Sequence, residues 1–337
     1  MLPARILVTG ATGFLGGRLT ERLLDTPGVR RVTATGRNAA AGQRLQALGA
    51  EFVPGDLAAP GVAEELLRDA DAVVHCAALS APWGPHPAFV QANVTATERL
   101  LAAMERQGVR RMVHISTPSV YFNFRDRFGI REDEPLPARM VNAYAETKRT
   151  AELRVLDAAA RGLEAVILRP RAIIGRGDTV IMPRVLAAYR AGRLRIIGSG
   201  RTLVDVTCVS NLCDAILLGL EAGPAAQGQI FNLTNGDPVN LWDLFAEVMR
   251  LLGLPFHPRR APYGAVMALA GLMEAQARLT GREPVLTRYS AGILACSMTH
   301  DISRARELLG YAPRQGNFEG AAEFAEDWLR QQGQRIP

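Results

Sequence analysis

The chain has 337 residues and a mass of 36.4 kDa, room for one large domain or two modest ones with ample core. Apolar residues make up 48% and charged residues 21%, ordinary for a soluble globular protein. The net charge of +6 comes from arginines spread along the chain rather than in runs, which argues against a nucleic-acid partner and leaves a mild preference for anionic ligands or membrane surfaces.

Cys76, Cys208, Cys213 and Cys296 form no Cys-x-x-Cys pair, so they read as reduced core residues of a cytoplasmic protein, with neither a disulfide framework nor a metal site. Met1 to Gly10 leads straight into an apolar strand, and no secretory leader is expected.

The first strand, Arg5 to Thr9, stops at Gly10-Ala-Thr12-Gly13-Phe14-Leu15-Gly16, and an amphipathic helix follows over Arg18 to Leu24. At a strand-to-helix turn the glycines permit a tight turn, backbone approach to a pyrophosphate, and close helix packing. The phosphate charge then sits at the helix N-terminus. The stretch Gly10 to Gly16 is therefore predicted to bind a dinucleotide. The second strand, Val32 to Thr35, ends at Gly36-Arg37, where an acidic residue would hold the adenosine ribose of NAD. A guanidinium suits a 2′-phosphate instead, so NADP(H) is the preferred cofactor and NAD(H) the alternative, with Arg37 against the adenine or in solvent.

Two further strand ends, Glu51 to Leu57 and Ala72 to Ala78, flank a helical stretch over Ala63 to Asp69, the βα rhythm of a parallel sheet. Asp56, beside Leu57, is placed to meet the adenine amine, and Ala77 and Ala78 leave room for the cofactor to pass. His75, alone at the end of a buried strand, reads as a structural hydrogen-bonder. Asn93 is expected to open a helix over Val94 to Gln107. The strand Arg111 to Ile115 then ends in Ser116-Thr117-Pro-Ser-Val-Tyr121, with hydroxyls at the carboxyl edge where open α/β sheets bind ligands.

Tyr144 and Lys148 stand one helical turn apart and share a helix face. Lys148 is the only lysine among 39 lysines and arginines, which suggests that a compact, titratable ammonium is required there. A tyrosine with its usual pKa of about 10 is a poor acid or base near neutrality. A cation about 5 Å away, at an effective dielectric near 20, favours the phenolate by roughly 3 kcal/mol, or about two pKa units.

Taken together, the loop Thr9 to Gly16, Gly55-Asp-Leu57, His75-x-Ala-Ala78, Ser116 to Tyr121 and Tyr144-x-x-x-Lys148 resemble the extended short-chain dehydrogenase/reductases over essentially the whole chain. The resemblance implies a doubly wound parallel α/β sheet (Rossmann) with a smaller mixed C-terminal substrate-binding cap. It makes Tyr144 the general acid or base, Lys148 its electrostatic partner and ribose ligand, and Thr117 the hydroxyl on the substrate oxygen, with Ser116 the close alternative. Asn93 takes a supporting role near the cofactor, and Pro170, ending the strand from Ala165, runs beside the nicotinamide. Arg169 to Asp178, Met182 to Leu186 and Ala191 to Gly198 are similar to the branch holding 3β-hydroxysteroid dehydrogenases and 2-alkyl-3-oxoalkanoate reductases. The implied activity is hydride transfer between nicotinamide and a ketone or secondary alcohol on an apolar substrate, in a homodimer. Sugar-nucleotide epimerases share the fold but usually have an acidic residue where Gly36 stands. A non-catalytic dinucleotide-binding protein would keep the glycine loop and lose the triad.

The nucleotide-binding body is expected to take residues 1–170 and 204–234, and the cap 171–203 and 235–337. Pro262 to Leu279 is the one long apolar stretch, and Glu274, Gln276 and Arg278 within it argue against a membrane span. It reads as a cap helix over the pocket, with a mobile lid or membrane-surface helix as the alternative.

Overall fold

The structure, a computed structural model, describes residues 1–333. Seven strands form one sheet in the spatial order Gln229–Leu233, Glu164–Pro170, Arg111–Ile115, Ala72–His75, Arg5–Thr9, Arg31–Gly36, Glu51–Pro54. Every neighbouring pair is parallel. Strands such as Ala72-Val-Val-His75 are buried at every position, as a sheet covered by helices on both faces requires. One face packs Leu15, Leu19 and Leu23 of the helix Phe14–Leu24 with Leu212, Ile216 and Leu220 of Val209–Glu221. The other face packs Leu66, Leu100, Met104 and Val155 from the helices Val62–Leu67, Ala96–Gln107 and Ala143–Ala160. The strand order reverses beside Arg5–Thr9, and the crevice at that switch point is where such sheets hold ligands.

A smaller mixed sheet joins Val239–Asn240, Leu203–Val204, Met298–His300 and Arg127–Ile130. Its core holds Met182, Leu186, Trp242, Phe245, Met249 and Phe324. Arg127–Ile130 lies early in the chain yet pairs with Met298–His300.

Two local expectations are corrected. The first helix starts at Phe14, four residues before Arg18, with Gly13 as its N-cap. Asn93 does not open a helix: it lies inside a π-helical turn, Val90–Thr95, between the short helix His86–Phe89 and Ala96–Gln107. Such turns recur at functional positions because they re-aim one side chain. The long apolar stretch is a helix, Tyr263–Thr280, that buries only Ala270, Glu274 and Ala277 and leaves Leu272 and Leu279 exposed. Among the described residues no helix is long and apolar enough to cross a membrane.

Candidate active site

The glycine loop is shaped by contacts that exclude side chains. Gly10 has φ of +66°, and a Cβ there would stand 2.7 Å from the Ala77 backbone. A Cβ on Gly16 would stand 2.3 Å from the Gly10 carbonyl oxygen. The helix Phe14–Leu24 has no side-chain cap and no acidic residue in its first turn, so its free N–H groups and dipole suit a pyrophosphate. These features fit a dinucleotide.

At the end of the second strand, a Cβ on Gly36 would meet the Thr12 hydroxyl at 2.3 Å. Thr12 occupies the place an acidic side chain would need, and the next side chain, Arg37, is exposed. Asp56 is exposed as well, with Oδ1 accepting from the Ala58 N–H at 2.9 Å, while Leu57 is buried. Ala77 donates its N–H to Thr9 at 3.2 Å and Ala78 is exposed beside it. Pro170 is buried at the carboxyl end of its strand, paired with Leu233.

Asn93 is 1% exposed and ties two segments together: Oδ1 accepts from the Leu79 N–H at 2.7 Å, and Nδ2 donates to the Thr147 hydroxyl at 3.0 Å. It thus fixes the chain leaving Ala72–His75 against the helix that bears Tyr144 and Lys148. His75 is bonded to Thr9 at 2.7 Å and Thr97 at 2.9 Å, and burial, with the Lys148 charge adding to it, pushes its pKa down to about 3. It is a neutral structural group at physiological pH.

The helix Ala143–Ala160 begins with Asn142, whose Oδ1 accepts from the Ala145 N–H at 2.9 Å, so Tyr144 lies in its first turn and Lys148 one turn later. Tyr144 is half-buried, and the nearby hydroxyls of Thr117 and Ser80 work against the effect of burial on its pKa. Thr117 belongs to a short chain of hydroxyls: it donates to Ser119 at 3.0 Å, and Ser119 meets Tyr289 at 2.8 Å. Ser116 turns the other way and donates to Glu152 at 2.9 Å. Adjacent residues of an extended segment point to opposite faces, which is why only one of these hydroxyls reaches the phenol.

Lys148 is 2% exposed, and its Nζ donates to the Ile115 carbonyl oxygen at 2.6 Å. Burial drives its pKa down to about 8, against the charges of Glu152 and Cys76, which hold it up. The expected lowering of Tyr144 by Lys148 is not found: burial raises the phenol, opposed by Thr117 and Ser80. Helical spacing places the two side chains on one face but does not aim the ammonium, which here turns to the strand end. Tyr144 is accordingly protonated at neutral pH, the state of an acid.

Behind the lysine, Glu152 is buried and ion-paired with Arg169, whose Nε donates at 2.8 Å, and with Arg149. Arg169 also donates to the Tyr121 hydroxyl, which in turn donates to Asn232 at 3.1 Å. Tyr289 packs in an aromatic cluster: Phe122 meets Phe124 and Tyr289 edge-on at 5.1 and 5.7 Å, and a Cβ on Gly292 would come within 2.9 Å of both Phe122 and Phe124.

Ser80, Ser119 and Tyr289 are the site residues that sequence reading missed. Tyr289 lies 170 positions beyond Ser119 in the chain and forms part of no motif.

Residues 6–234 match the family described as the NAD dependent epimerase/dehydratase family. The chain is 35% identical to a 2-alkyl-3-oxoalkanoate reductase of Shewanella oneidensis, over 90% of this chain and 81% of that one. It is also 35% identical to 4-hydroxy-2-methyl-3-oxo-4-farnesyl-3,4-dihydroquinoline-1-oxide ketoreductase of Stigmatella aurantiaca, over 98% and 96% of the two chains. Among solved structures, UDP-glucuronic acid 4-epimerase of Bacillus cereus superimposes with a TM-score of 0.76 over 97% of this chain and 99% of that one, at 22% identity, a likeness of fold.

Proposed function

The chain belongs to the NAD dependent epimerase/dehydratase family, and on that premise we propose that it is a nicotinamide-dependent oxidoreductase reducing the ketone of an apolar substrate, or oxidising the matching alcohol. The observation that carries this reading is the convergence of Tyr144, Thr117 and Lys148 at the carboxyl edge of the sheet, beside a glycine loop fitted to a dinucleotide.

The residues that would hold the cofactor are Gly10, Thr12, Gly13, Phe14, Leu15 and Gly16 around the pyrophosphate, Asp56 and Leu57 toward the adenine, and Ala77, Ala78 and Pro170 along its path. The bound reduced nicotinamide supplies the hydride. Tyr144, protonated because burial raises its pKa, donates its proton to the oxygen of the carbonyl as negative charge develops there. Thr117 donates a hydrogen bond to the same oxygen. Lys148 keeps a positive charge below about pH 8 and, anchored on the Ile115 carbonyl oxygen, would hold the cofactor ribose beside the phenol. Phe124 and Tyr289, partly exposed and packed on the buried Phe122, would receive the apolar part of the substrate.

NADP(H) is the preferred cofactor on this reading, supported by Thr12 filling the space an acid would need at Gly36 and by the free Arg37 guanidinium next to it. A panel of 3-oxo acids, sterols and UDP-sugars, each run with NADPH and with NADH, tests the reading. Reduction of a 3-oxo acid or an apolar ketone is expected, with NADPH preferred. Turnover of UDP-sugars alone, without net cofactor consumption, overturns it.

A further inference from the structure

Two residues beyond the paired Arg169 stands a guanidinium with no counter-ion among the described residues. Arg171 follows Pro170 at the carboxyl end of the strand Glu164–Pro170, level with the catalytic hydroxyls, because Ile115 pairs with Leu168 and Ser116 donates its N–H to the Leu168 carbonyl oxygen at 2.7 Å. Its backbone is held on both sides: the N–H donates to Leu233 at 3.0 Å and the carbonyl oxygen accepts from the Thr207 hydroxyl at 2.7 Å. The next residue, Ala172, has φ of +41°, a conformation that residues with a Cβ seldom adopt and that turns the chain sharply after Arg171.

The side chain is partly buried. Arg171 Nε is buried without a hydrogen-bond partner. Arg169 is neutralised by Glu152, whereas no carboxylate lies within ion-pair distance of Arg171 among the described residues. Asp205 is the acid nearest in influence, and it is already engaged, with Oδ2 accepting from the His300 N–H at 2.6 Å and meeting its Nδ1 at 3.0 Å. Arg171 lies three residues past Leu168 and Thr117 two past its partner Ile115, so the guanidinium and the hydroxyl next to the phenol leave neighbouring strands at one edge of the sheet. A buried guanidinium is costly to keep charged unless an anion completes it, and a carboxylate does so through two parallel hydrogen bonds.

We propose that Arg171 is the carboxylate anchor of the substrate pocket, and that the substrate is a 3-oxo acid held by its own carboxylate. This rests on the reductase reading above and names the substrate class for that site. In a 3-oxo acid one carbon separates the carboxylate carbon from the ketone carbon. Binding the anion at Arg171 therefore fixes which carbonyl faces Tyr144. The two ketone-reducing relatives do not decide the matter, since the oxoalkanoate named for one carries a carboxylate and the quinoline oxide named for the other does not. Arg171 favours the acid.

The test compares an acid with its methyl ester on wild type, Arg171→Met and Arg171→Lys. Reduction of 3-oxodecanoate and methyl 3-oxodecanoate is followed with NADPH, and binding of 3-hydroxydecanoate and its methyl ester to the NADP-loaded protein is followed by calorimetry. Wild type is expected to prefer the acid about 10- to 100-fold, the worth of a charge-assisted hydrogen bond or two. Arg171→Met should collapse that preference and Arg171→Lys should retain part of it. Equal treatment of acid and ester by wild type overturns the proposal, as does an undiminished preference in Arg171→Met. Loss of NADPH binding in Arg171→Met with the preference intact also overturns it, because the arginine then serves the cofactor. If wild type reduces no ketone, the reductase reading fails, and the calorimetric acid-over-ester ratio still decides for or against Arg171. If Arg171→Met does not fold, wild type and Arg171→Lys decide.

Discussion

Lys148 reaches back to the carbonyl oxygen of Ile115 at 2.6 Å, and so fastens the catalytic helix to the end of the strand that leads into Thr117. The slot is 2% exposed and accepts one compact donor. An arginine there would need space for a planar fork and a second acceptor. Lys148→Arg is expected to lower kcat by about 100-fold or more, comparable with removing one stabilising donor from a transition state. Steady-state kinetics check this, and a rate near wild type would contradict the role given to the lone lysine.

The lysine also sets a pH limit. Its pKa is depressed to about 8, so the ammonium is present below that pH and is lost above it. Ketone reduction should therefore hold steady through neutrality and fall above about pH 8, whereas Lys148→Met should be slow throughout with no step at that pH. A kcat profile for both proteins decides, and a wild-type profile flat to about pH 10, the range of an unperturbed lysine, would contradict it.

Arg37 is exposed just past the second strand, and the proposed preference for NADPH rests on it. Arg37→Ala is expected to weaken NADPH by about tenfold or more and NADH by about twofold at most, as loss of a charged hydrogen bond to a 2′-phosphate implies. Equal effects on the two Kd values, measured by fluorescence titration, would remove the argument.

Glu152 and Arg169 are both within about 1% of complete burial. Neutralising the acid leaves a buried guanidinium unpaired, and Glu152→Gln should cost about 3 kcal/mol of stability. The same change at Glu247, paired with the exposed Arg250, should move the unfolding midpoint little. Denaturant unfolding of the two variants measures the contrast, and similar shifts would contradict it.

The sheet and the cofactor cradle were legible in the sequence because each rests on local pattern: buried strands of four to seven residues, and glycines at a strand-to-helix turn. That Tyr144 and Lys148 stand one turn apart on a single helix was legible from spacing alone. What spacing cannot carry is the direction of a flexible side chain, so the ammonium was expected at the phenol and lies instead against Ile115. Long-range contacts were also out of reach. Tyr289 joins Ser119 across 170 positions, and Arg127–Ile130 pairs with Met298–His300, through residue types that signal nothing locally. Arg171 carries no signal of its own in the sequence, because the lack of a partner is a property of the folded chain.

The most direct test of the account is single-turnover reduction of a ketone substrate by Tyr144→Phe, with NADPH binding measured on the same preparation. The substitution removes one hydroxyl from the site and leaves the glycine loop and Arg37 intact. The expected result is a hydride-transfer rate lower by about 1,000-fold or more, within the span of general acid catalysis, with NADPH affinity changed by about twofold at most. A rate within about tenfold of wild type would contradict the assignment of Tyr144 as the proton donor, and with it the mechanism.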